Sequence, residues 1–334
     1  MRKIFCILSA TAFLLTCCNS NKTDYLLTNG FAQGTTWHIT YQSQHNEDLT
    51  DTFNSILNDF DFSMSTYNPK SLITKVNNGE DVELDSNFVV VFNSSVELWN
   101  LTGGIFDPSC RPLVNAWGFA KHESLRKPSQ EELDSILQFV GMDKFKIVNN
   151  KLVRADNRAT LNFNANAQGY SVDLVCDYLK SKGYKNYLVE IGGETRSEGV
   201  NPKGEPWRVG IDAPLDGSTE ANREIQAVVP LSGKSLCSSG NYRNFFEKDG
   251  VKYSHELNPK TGYPQSDSLL AVSIVTPTAL VGDGLATAVM VMGLENGFKL
   301  IDSLPETEGY FIYSSSDGTF KTMKTKNFEI IPLQ

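Results

Sequence analysis

Clustered positive charge is what this sequence most clearly lacks. Its 334 residues include 30 Lys and Arg against 39 Asp and Glu, which gives a formal net charge of −9. Binding to nucleic acid depends on basic patches that neutralise phosphates, and no run of Lys or Arg stands out here. The sequence therefore predicts no nucleic-acid partner. Its 40% hydrophobic and 21% charged residues are typical of a folded globular protein.

Several common catalytic motifs are also missing. The letters HE at 255–256 would open the HExxH motif of zinc proteases, but the second His would fall at Pro259. Residues 233–235 read Gly-Lys-Ser, like the end of a phosphate-binding loop, but the Gly required five residues earlier is replaced by Val228. No GxGxxG opens a helix after a strand, and no GxSxG is present. Zinc proteolysis, P-loop chemistry and α/β-hydrolase chemistry are therefore not expected.

Cysteine is scarce after the first eighteen residues. Of the six Cys in the chain, three lie beyond that point, at Cys110, Cys176 and Cys237. They are widely separated and form no CxxC pair, so the spacing indicates neither a disulfide framework nor a zinc or redox site. Each is predicted to be an isolated core residue.

Residues 1–18 have the layout of an export signal. Arg2 and Lys3 precede a mostly apolar stretch over residues 4–15, which is too short to span a bilayer comfortably. The stretch leads into Leu15-Thr16-Cys17-Cys18, which resembles a bacterial lipobox. Cys18 fits the lipidated position better than Cys17, because Leu lies three positions before Cys18 and small residues lie between them.

The predicted organisation is a lipoprotein signal over residues 1–18 with lipidation at Cys18, a tether over residues 19–23, and one domain over residues 24–334. The alternative is an ordinary secretory signal that contains cysteines. No later segment is long and apolar enough to cross a membrane. We therefore expect a lipoprotein anchored to a membrane through its lipid, on the periplasmic side of the inner membrane.

Hydrophobic periodicity predicts helices and strands in alternation. One helix is expected to follow Asp85 and to end at Gly103-Gly104, and Ser129 with Glu132 forms a capping box for another, which Gly141 is expected to end. Because the predicted strands concentrate in the second half and are joined by short turns, the sequence favours a single α+β domain, with a mixed or antiparallel sheet flanked by helices. The other helices are predicted near 53–60, 168–182 and 283–292, and the strands at 187–191, 207–211, 225–230, 270–276 and 310–314.

Eight segments rich in Gly, Asn, Thr and aromatic residues are not explained by the fold. Each alone is compatible with a turn, but together they extend over most of the chain. A decapeptide at 255–264, HELNPKTGYP, follows the seventh of them and ends in turn residues. The eight are QGTTWHI (33–39), MSTYNP (64–69), TGGIFDPS (102–109), WGF (117–119), NFNANAQGYSVD (162–173), VEIGGE (189–194), SSGNYRNFFEKDG (238–250) and GDGLATAVMVMG (282–293).

The chemistry of these segments suits a phosphate-bearing aromatic ligand. Asp283 and Thr287 are four residues apart and so share one helix face, and with backbone carbonyls they form the all-oxygen set that Mg²⁺ prefers. The structural alternative is an Asp at the N-cap followed by an inward Thr. Gly192-Gly193 leaves room for a ligand near the backbone, and Tyr67 and Phe106 offer flat faces, although such aromatics also serve as core residues.

With these motifs in this order, the sequence resembles the ApbE family, the FAD:protein FMN transferases, over roughly residues 30–293. The resemblance implies an ApbE-like domain that binds FAD as substrate and Mg²⁺, cleaves the FAD pyrophosphate and attaches FMN by its phosphate to a Thr or Ser hydroxyl of a partner protein, with release of AMP. The implied partners are flavin-carrying subunits of membrane redox complexes of the Rnf and Nqr type.

The resemblance also assigns roles to individual positions. Ala165 (through its carbonyl), Asp283 and Thr287 correspond to the metal ligands, and His255 with Asp283 to the catalytic groups. Gln33 stands where the family usually has Met, Asn162 and Asn258 where it has Asp, and Gln168 where it has Lys, so charged contacts are softened. The positions that correspond to FAD contacts are Gln33, Tyr67, Ile105, Phe106, Asp107, Asn162, Gln168 and Leu257.

Two questions stay open at the level of sequence. The proton of the attacking hydroxyl passes either to His255 or to a carboxylate beside the metal. The expected activity is transfer of FMN to a protein. The first alternative is hydrolysis of FAD to FMN and AMP, as in some relatives. The second is FAD binding without turnover by a lipoprotein that stores flavin. The substitutions at Asn162 and Gln168 are what support the last alternative.

Overall fold

A computed structural model describes residues 24–119, 126–215, 223–241, 245–248, 251–254, 257–265 and 267–332. The predictions made for residues 1–23, including lipidation at Cys18, and for His255 lie outside these ranges. The strands are β1 Asp24–Ala32, β2 Thr35–Ser43, β3 Phe145–Val148, β4 Lys151–Arg154, β5 Tyr187–Ile191, β6 Glu194–Glu198, β7 Trp207–Asp212, β8 Ile225–Leu231, β9 Ser235–Gly240, β10 Phe245–Lys248, β11 Val251–Ser254, β12 Leu269–Thr276, β13 Glu308–Ser314 and β14 Phe320–Lys324.

Eight helices accompany these strands in the described part of the chain. None of them is both long and apolar enough to cross a membrane. Their bounds are α1 Thr50–Met64, α2 Leu72–Asn77, α3 Ser86–Leu101, α4 Arg111–Trp117, α5 Gln130–Leu137, α6 Ala167–Ser181, α7 Ala279–Met292 and α8 Leu294–Ser303.

One eight-stranded sheet organises the molecule. Its strand order is β1-β2-β5-β6-β9-β12-β13-β14, and its paired strands run antiparallel, as Trp37 opposite Ile191 and Ile274 opposite Cys237 illustrate. The described hairpins β3–β4, β7–β8 and β10–β11 form separate two-stranded sheets. The predicted α+β class is confirmed, with the antiparallel form of the sheet.

Helices α6 and α7 pack directly on this sheet, α6 over β5 and β6 and α7 over β9 and β12. The apolar side chains between α7 and the sheet include Val272, Leu285 and Phe311, all at most 1% exposed. Gly282 permits the close approach of α7, because a Cβ there would lie 2.6 Å from Thr276 Oγ1 and 3.0 Å from Cys237 Sγ. Cys176 and Cys237 are buried free thiols, as predicted, whereas Cys110 is only partly buried.

Two of the predicted helix starts are correct in detail. The Asp85 side chain accepts a hydrogen bond from Phe88 N as the N-cap of α3, and Ser129 accepts one from Glu132 N at the start of α5. The predicted end of α5 at Gly141 is wrong, since the helix stops at Leu137. After the helix, Phe139 and Val140 are buried in two different apolar clusters. The chain leaves the helix so that these neighbouring side chains can point to different sides.

Helix α7 begins at Ala279, four residues before Asp283. Asp283 therefore lies in the second turn and is not an N-cap, so that structural alternative is wrong. The start at Ala279 is difficult to predict from the sequence, because Pro277, Gly282 and Gly284 are residue types that disfavour a helix. The amide nitrogens of Ala279 and Leu280 are instead bound by the carboxylate of Asp173 from α6, at 3.0 and 2.9 Å.

The β1–β2 hairpin was not predicted. Ala32 pairs with Thr35 across a two-residue turn, in which Gln33 and Gly34 have φ values of 55° and 77°. Positive φ at both positions is the hairpin geometry usually supplied by Asn-Gly or Asp-Gly. Gln is uncommon in this conformation, so the sequence gives no turn signal at residue 33.

Asp173 connects three elements that position the centre of the molecule. Its side chain is 4% exposed, binds the start of α7 and accepts a hydrogen bond from Arg196 Nη1 on β6 at 2.7 Å. Burial raises the pKa of this carboxyl, and Arg196 and the two amides of α7 offset part of that effect. The carboxylate therefore stays paired while it joins α6, α7 and the sheet.

Replacing Asp173 by Ala is expected to lower the free energy of unfolding by about 2–4 kcal/mol, because a helix cap and a buried ion pair are lost together. Urea denaturation measures this change. Asp177→Ala is the matched control: Asp177 lies one turn further along α6, is exposed and is 3.8 Å from Arg196, so a loss below about 1 kcal/mol is expected. Equal losses in the two variants would contradict the role given to Asp173.

Candidate functional site

The site is built where the start of α6 meets the second turn of α7. Gly169 N donates a hydrogen bond to Asp283 Oδ2 at 2.9 Å. The contact depends on the missing side chain of Gly169, since a Cβ there would overlap the carbonyl of Ala279 and lie 2.8 Å from Asp283 Cβ. Helix α6 is thereby held against α7, and the orientation of the Asp283 carboxyl is fixed.

The three predicted metal ligands come together at this point. Thr287 lies one turn after Asp283 on α7, and its hydroxyl donates to the carbonyl oxygen of Ala165 at 3.3 Å. Ala165 belongs to the turn that precedes α6. Since α6 packs against α7, the carbonyl of Ala165 also lies close to α7. A carboxylate, a hydroxyl and a backbone carbonyl thus converge in a partly buried setting.

A second carboxyl group, Glu194 at the start of β6, adds negative charge beside Asp283. Glu194 is 7% exposed, and burial raises its pKa to about 7, although contacts with the Cys237 thiol and the Ser238 amide act in the opposite direction. Burial, followed by the proximity of Glu194, raises the pKa of Asp283 well above its ordinary range. Sequence reasoning did not select Glu194 as a site residue, because only the sheet brings β6 under α7.

These residues fit a divalent cation with oxygen ligands. Three buried side-chain atoms without a hydrogen-bond partner belong to residues around the site: Glu194 Oε2, Asn166 Oδ1 and Gln33 Nε2. Buried polar atoms usually have a partner, and two of these three are oxygens. The described residues contain no group of three or more His, Cys, Asp or Glu able to hold a metal. A cation here would therefore use the Asp283 carboxylate with the Thr287 hydroxyl, the Ala165 carbonyl and oxygens of a ligand, as Mg²⁺ does with phosphates.

One wall of the site is neutral and made of amides. Gln168 Nε2 donates to the carbonyl of Ile191 at 2.9 Å, and Ser171 Oγ donates to Gln33 Oε1 at 3.2 Å and to the Gln168 carbonyl at 2.7 Å. The structure therefore brings Gln33 and Gln168 together, as predicted for two contacts of one ligand. Gly192, with a φ of 58°, leaves the space that the Gln168 side chain occupies.

The opposite side contains the loop that carries residues 105–107. The ring of Phe106 is 1% exposed and packs with Leu98 and Leu285, so of the two alternatives for its ring the structure has the core residue. Asp107 accepts hydrogen bonds from Trp99 Nε1 at 3.2 Å and from Ser109 N at 2.8 Å. Burial raises the pKa of Asp107 to about 6. Its side chain is therefore used to hold the loop through Trp99 and Ser109.

Asn162 ties this loop to the turn of Ala165. Asn162 N donates to the carbonyl of Pro108 at 2.8 Å, and its side-chain oxygen accepts from Asn164 N at 3.0 Å. The Asn162 carboxamide is thus used for a local turn. Asp would form the same turn, so the replacement preserves this geometry while removing a charge.

Tyr67 and Leu257 have contrasting environments. Tyr67 is 82% exposed in the loop after α1, so its ring is accessible to a ligand. Leu257 is 5% exposed and forms a β-bridge with Pro264, which closes residues 257–264 into a turn. Trp117 Nε1 donates to the Gly262 carbonyl at 2.7 Å and fixes this turn to α4. His255 lies outside the described residues.

The model of the ApbE family matches residues 33–311. The chain belongs to the ApbE family. It is 31% identical to a FAD:protein FMN transferase of Haemophilus influenzae, with 98% of this chain and 100% of that protein covered. It is 33% identical to the FAD:protein FMN transferase of Vibrio cholerae, with 90% of this chain and 91% of that protein covered.

Solved structures of ApbE proteins have the same fold. The flavin transferase ApbE from Vibrio cholerae superimposes with a TM-score of 0.80 at 31% identity, over 92% of this chain and 98% of that one. The apo form of the Pseudomonas stutzeri flavinyl transferase ApbE gives a TM-score of 0.81 at 33% identity, over 91% and 95% of the two chains. The ApbE-like domain predicted from the sequence is therefore confirmed.

The raised pKa of Glu194 predicts a pH-dependent stability in the absence of metal. Between its ordinary pKa of 4.5 and its folded value of about 7, the folded protein binds more protons than the unfolded chain. Stability should therefore fall as the pH rises through this window, and Asp283 acts in the same direction. Glu194→Gln removes the Glu194 contribution, so the stability loss between pH 5 and pH 8 is expected to shrink by roughly 1–3 kcal/mol.

Urea denaturation at the two pH values in a chelating buffer measures this effect. Glu205→Gln is the control, because Glu205 is exposed in a loop away from the site, and its profile should match that of the wild type. If Glu194→Gln lost as much stability between pH 5 and pH 8 as the wild type, ionisation of Glu194 would not destabilise the folded protein.

Proposed function

We propose that this protein is a Mg²⁺-dependent FAD:protein FMN transferase. It takes FMN from FAD, joins the FMN phosphate to a Thr or Ser hydroxyl of a partner protein, and releases AMP. The observation that carries the proposal is the convergence of Asp283, Thr287 and the Ala165 carbonyl at the junction of α6 and α7. Relatives that cover nearly the whole chain are named FAD:protein FMN transferases, which supports the same reaction.

Asp283, Thr287 and the Ala165 carbonyl would hold the cation. When bound, Mg²⁺ supplies charge neutralisation for the pyrophosphate and for the charge that develops during phosphoryl transfer. The sequence has Gln168 where the family pattern has Lys, and its amide is engaged with Ile191. The start of the 15-residue helix α6 compensates in part, because the partial positive charge of a helix N-terminus favours phosphate oxygens.

The remaining residues position the two substrates. Exposed Tyr67 stacks on an aromatic ring of FAD, and the 105–107 backbone with Gln33 and Gln168 orients the nucleotide. Asp283 is committed to the Gly169 amide and to the cation, which leaves His255 and the Glu194 carboxyl as the two acceptors for the proton of the attacking hydroxyl. The buried surroundings of Asp283 and Glu194 limit the access of water, which favours transfer to a protein hydroxyl over hydrolysis.

The proposed acceptor is a flavin-carrying subunit of a membrane redox complex of the Rnf or Nqr type. Lipidation at Cys18 would hold the enzyme at the periplasmic face of the inner membrane, and the support for this is the lipobox-like sequence before Cys18. An enzyme and an acceptor on the same membrane face meet without long-range diffusion, which is the physical advantage of such an anchor.

The reaction is tested with the purified protein, FAD, Mg²⁺ and a purified Rnf- or Nqr-type flavin-carrying subunit. The intact mass of the subunit should increase by one FMN less one water, with an equal amount of AMP released. Asp283→Asn should lower the transfer rate by at least about 100-fold, because a metal ligand loses its charge at the site where charge develops. Asp302→Asn, on the exposed face of α8, is the control and should retain the wild-type rate.

Other outcomes would identify a different activity. Release of AMP without a mass increase in the acceptor would favour FAD pyrophosphatase activity. Tight FAD binding with no AMP at any Mg²⁺ concentration would indicate a flavin-binding protein without turnover. If Asp283→Asn transferred FMN at the full Mg²⁺-dependent rate, the assignment of Asp283 as a metal ligand would be wrong.

A further inference from the structure

A groove of about 430 Å³ lies between the end of α7, the helix α8 and the segments around Ile105 and Asn258. We call it the α7–α8 groove. One side is formed by Val291 at the end of α7 with Asn296 and Leu300 of α8, and the other by Ile105, Asn258 and Gln265. None of the roles assigned to the site uses Asn296, Leu300 or Gln265.

The geometry of α7 connects this groove to the site. Asp283, Thr287 and Val291 follow one another at intervals of four residues, so they lie on one face of the helix. Thr287 and Val291 are separated by one turn, or about 6 Å along the helix axis. The Val291 side of the groove therefore lies one helical turn from Thr287.

The lining of the groove is neutral and mixed. Asn258, Gln265 and Asn296 contribute carboxamides, whereas Ile105, Val291 and Leu300 contribute aliphatic surface. No Lys, Arg, Asp or Glu lines it, so it does not suit a pyrophosphate, and no aromatic ring lines it that would stack on a flavin or an adenine. Apart from Ile105, which borders the predicted FAD site, the lining therefore does not match the charged or the aromatic parts of FAD.

Carboxamides and aliphatic side chains together match an extended polypeptide. Each carboxamide presents both a donor and an acceptor, which is what the N–H and C=O groups of a peptide backbone require. The aliphatic residues can receive alternate side chains of such a strand. Within the described residues, no hydrogen bond engages the side chains of Gln265 or Asn296, so both are available to a partner.

We propose that the α7–α8 groove binds the acceptor segment that carries the modified Thr or Ser, in an extended conformation with its hydroxyl directed towards Thr287 and Asp283. This inference rests on the proposed transferase function and adds to it the surface that recognises the protein substrate. FAD then binds along Gln33, Gln168 and the 105–107 loop, the acceptor binds along α7 and α8, and Ile105 lies where the two substrates meet.

The test fills the groove without touching the metal ligands. Asn296→Trp places a bulky ring in the groove from an exposed position of α8, and Glu295→Trp places the same ring at the neighbouring position, which does not line the groove. Asn296→Trp is expected to raise KM for the acceptor subunit by about tenfold or more, with little change in the dissociation constant of FAD measured without acceptor. Glu295→Trp should stay within about twofold of the wild type in both quantities.

Circular dichroism and the FAD dissociation constant establish that both variants are folded. Weaker FAD binding by Asn296→Trp in the absence of acceptor would overturn the proposal and assign the groove to FAD. An unchanged KM for the acceptor would overturn it as well.

Direct binding of the labelled acceptor subunit, followed by fluorescence anisotropy without FAD, separates this inference from the proposed function. If the wild type binds the subunit, Asn296→Trp does not, and no transfer occurs, the groove assignment stands and the transferase function fails. If the wild type transfers FMN and Asn296→Trp binds the subunit equally well, the groove assignment fails and the transferase function stands.

Discussion

Two reciprocal contacts between α6 and α7 determine the rest of the site. Asp173 of α6 binds the first amides of α7, and Asp283 of α7 binds the amide of Gly169 in α6. Each helix thus receives a carboxylate from the other, so their relative translation and rotation are both fixed. Because the two helices are fixed, the turn before α6 is fixed as well. This turn places the Ala165 carbonyl oxygen 3.3 Å from the Thr287 hydroxyl. Gly169 is required because any side chain would separate the two helices.

The carboxyl groups of this region differ in how their charge is compensated. Asp173 is paired with Arg196, which makes it a structural ion pair. Asp283 and Glu194 are buried beside one another, with hydrogen bonds but without a cation among the described residues. Burying carboxylates in this way costs stability unless an opposite charge is added. The folded protein therefore has uncompensated negative charge at Asp283 and the neighbouring Glu194. A bound divalent cation would compensate it.

Local patterns were predictable from the sequence, whereas features that depend on distant segments were not. The i, i+4 relation of Asp283 and Thr287 holds wherever the helix begins, so the pair was found although the start of α7 was misplaced by four residues. The capping roles of Asp85 and Ser129 are equally local. Glu194 and the burial of the Phe106 ring depend on how the sheet and α7 pack, and no nearby residue signals either of them.

The substitutions at residues 33, 162 and 168 change the charge of the site more than its shape. Asn162 forms the turn that an Asp would form, and Gln168 is held by the Ile191 carbonyl beside Gln33. The wall that faces the nucleotide is consequently neutral, and positive charge for the phosphates must come from the start of α6 and from the cation. Because a helix N-terminus supplies only about half of an elementary charge, the cation is the larger contribution. Phosphate recognition in this protein should therefore depend more steeply on the divalent ion than in a relative that has Lys at the position of Gln168.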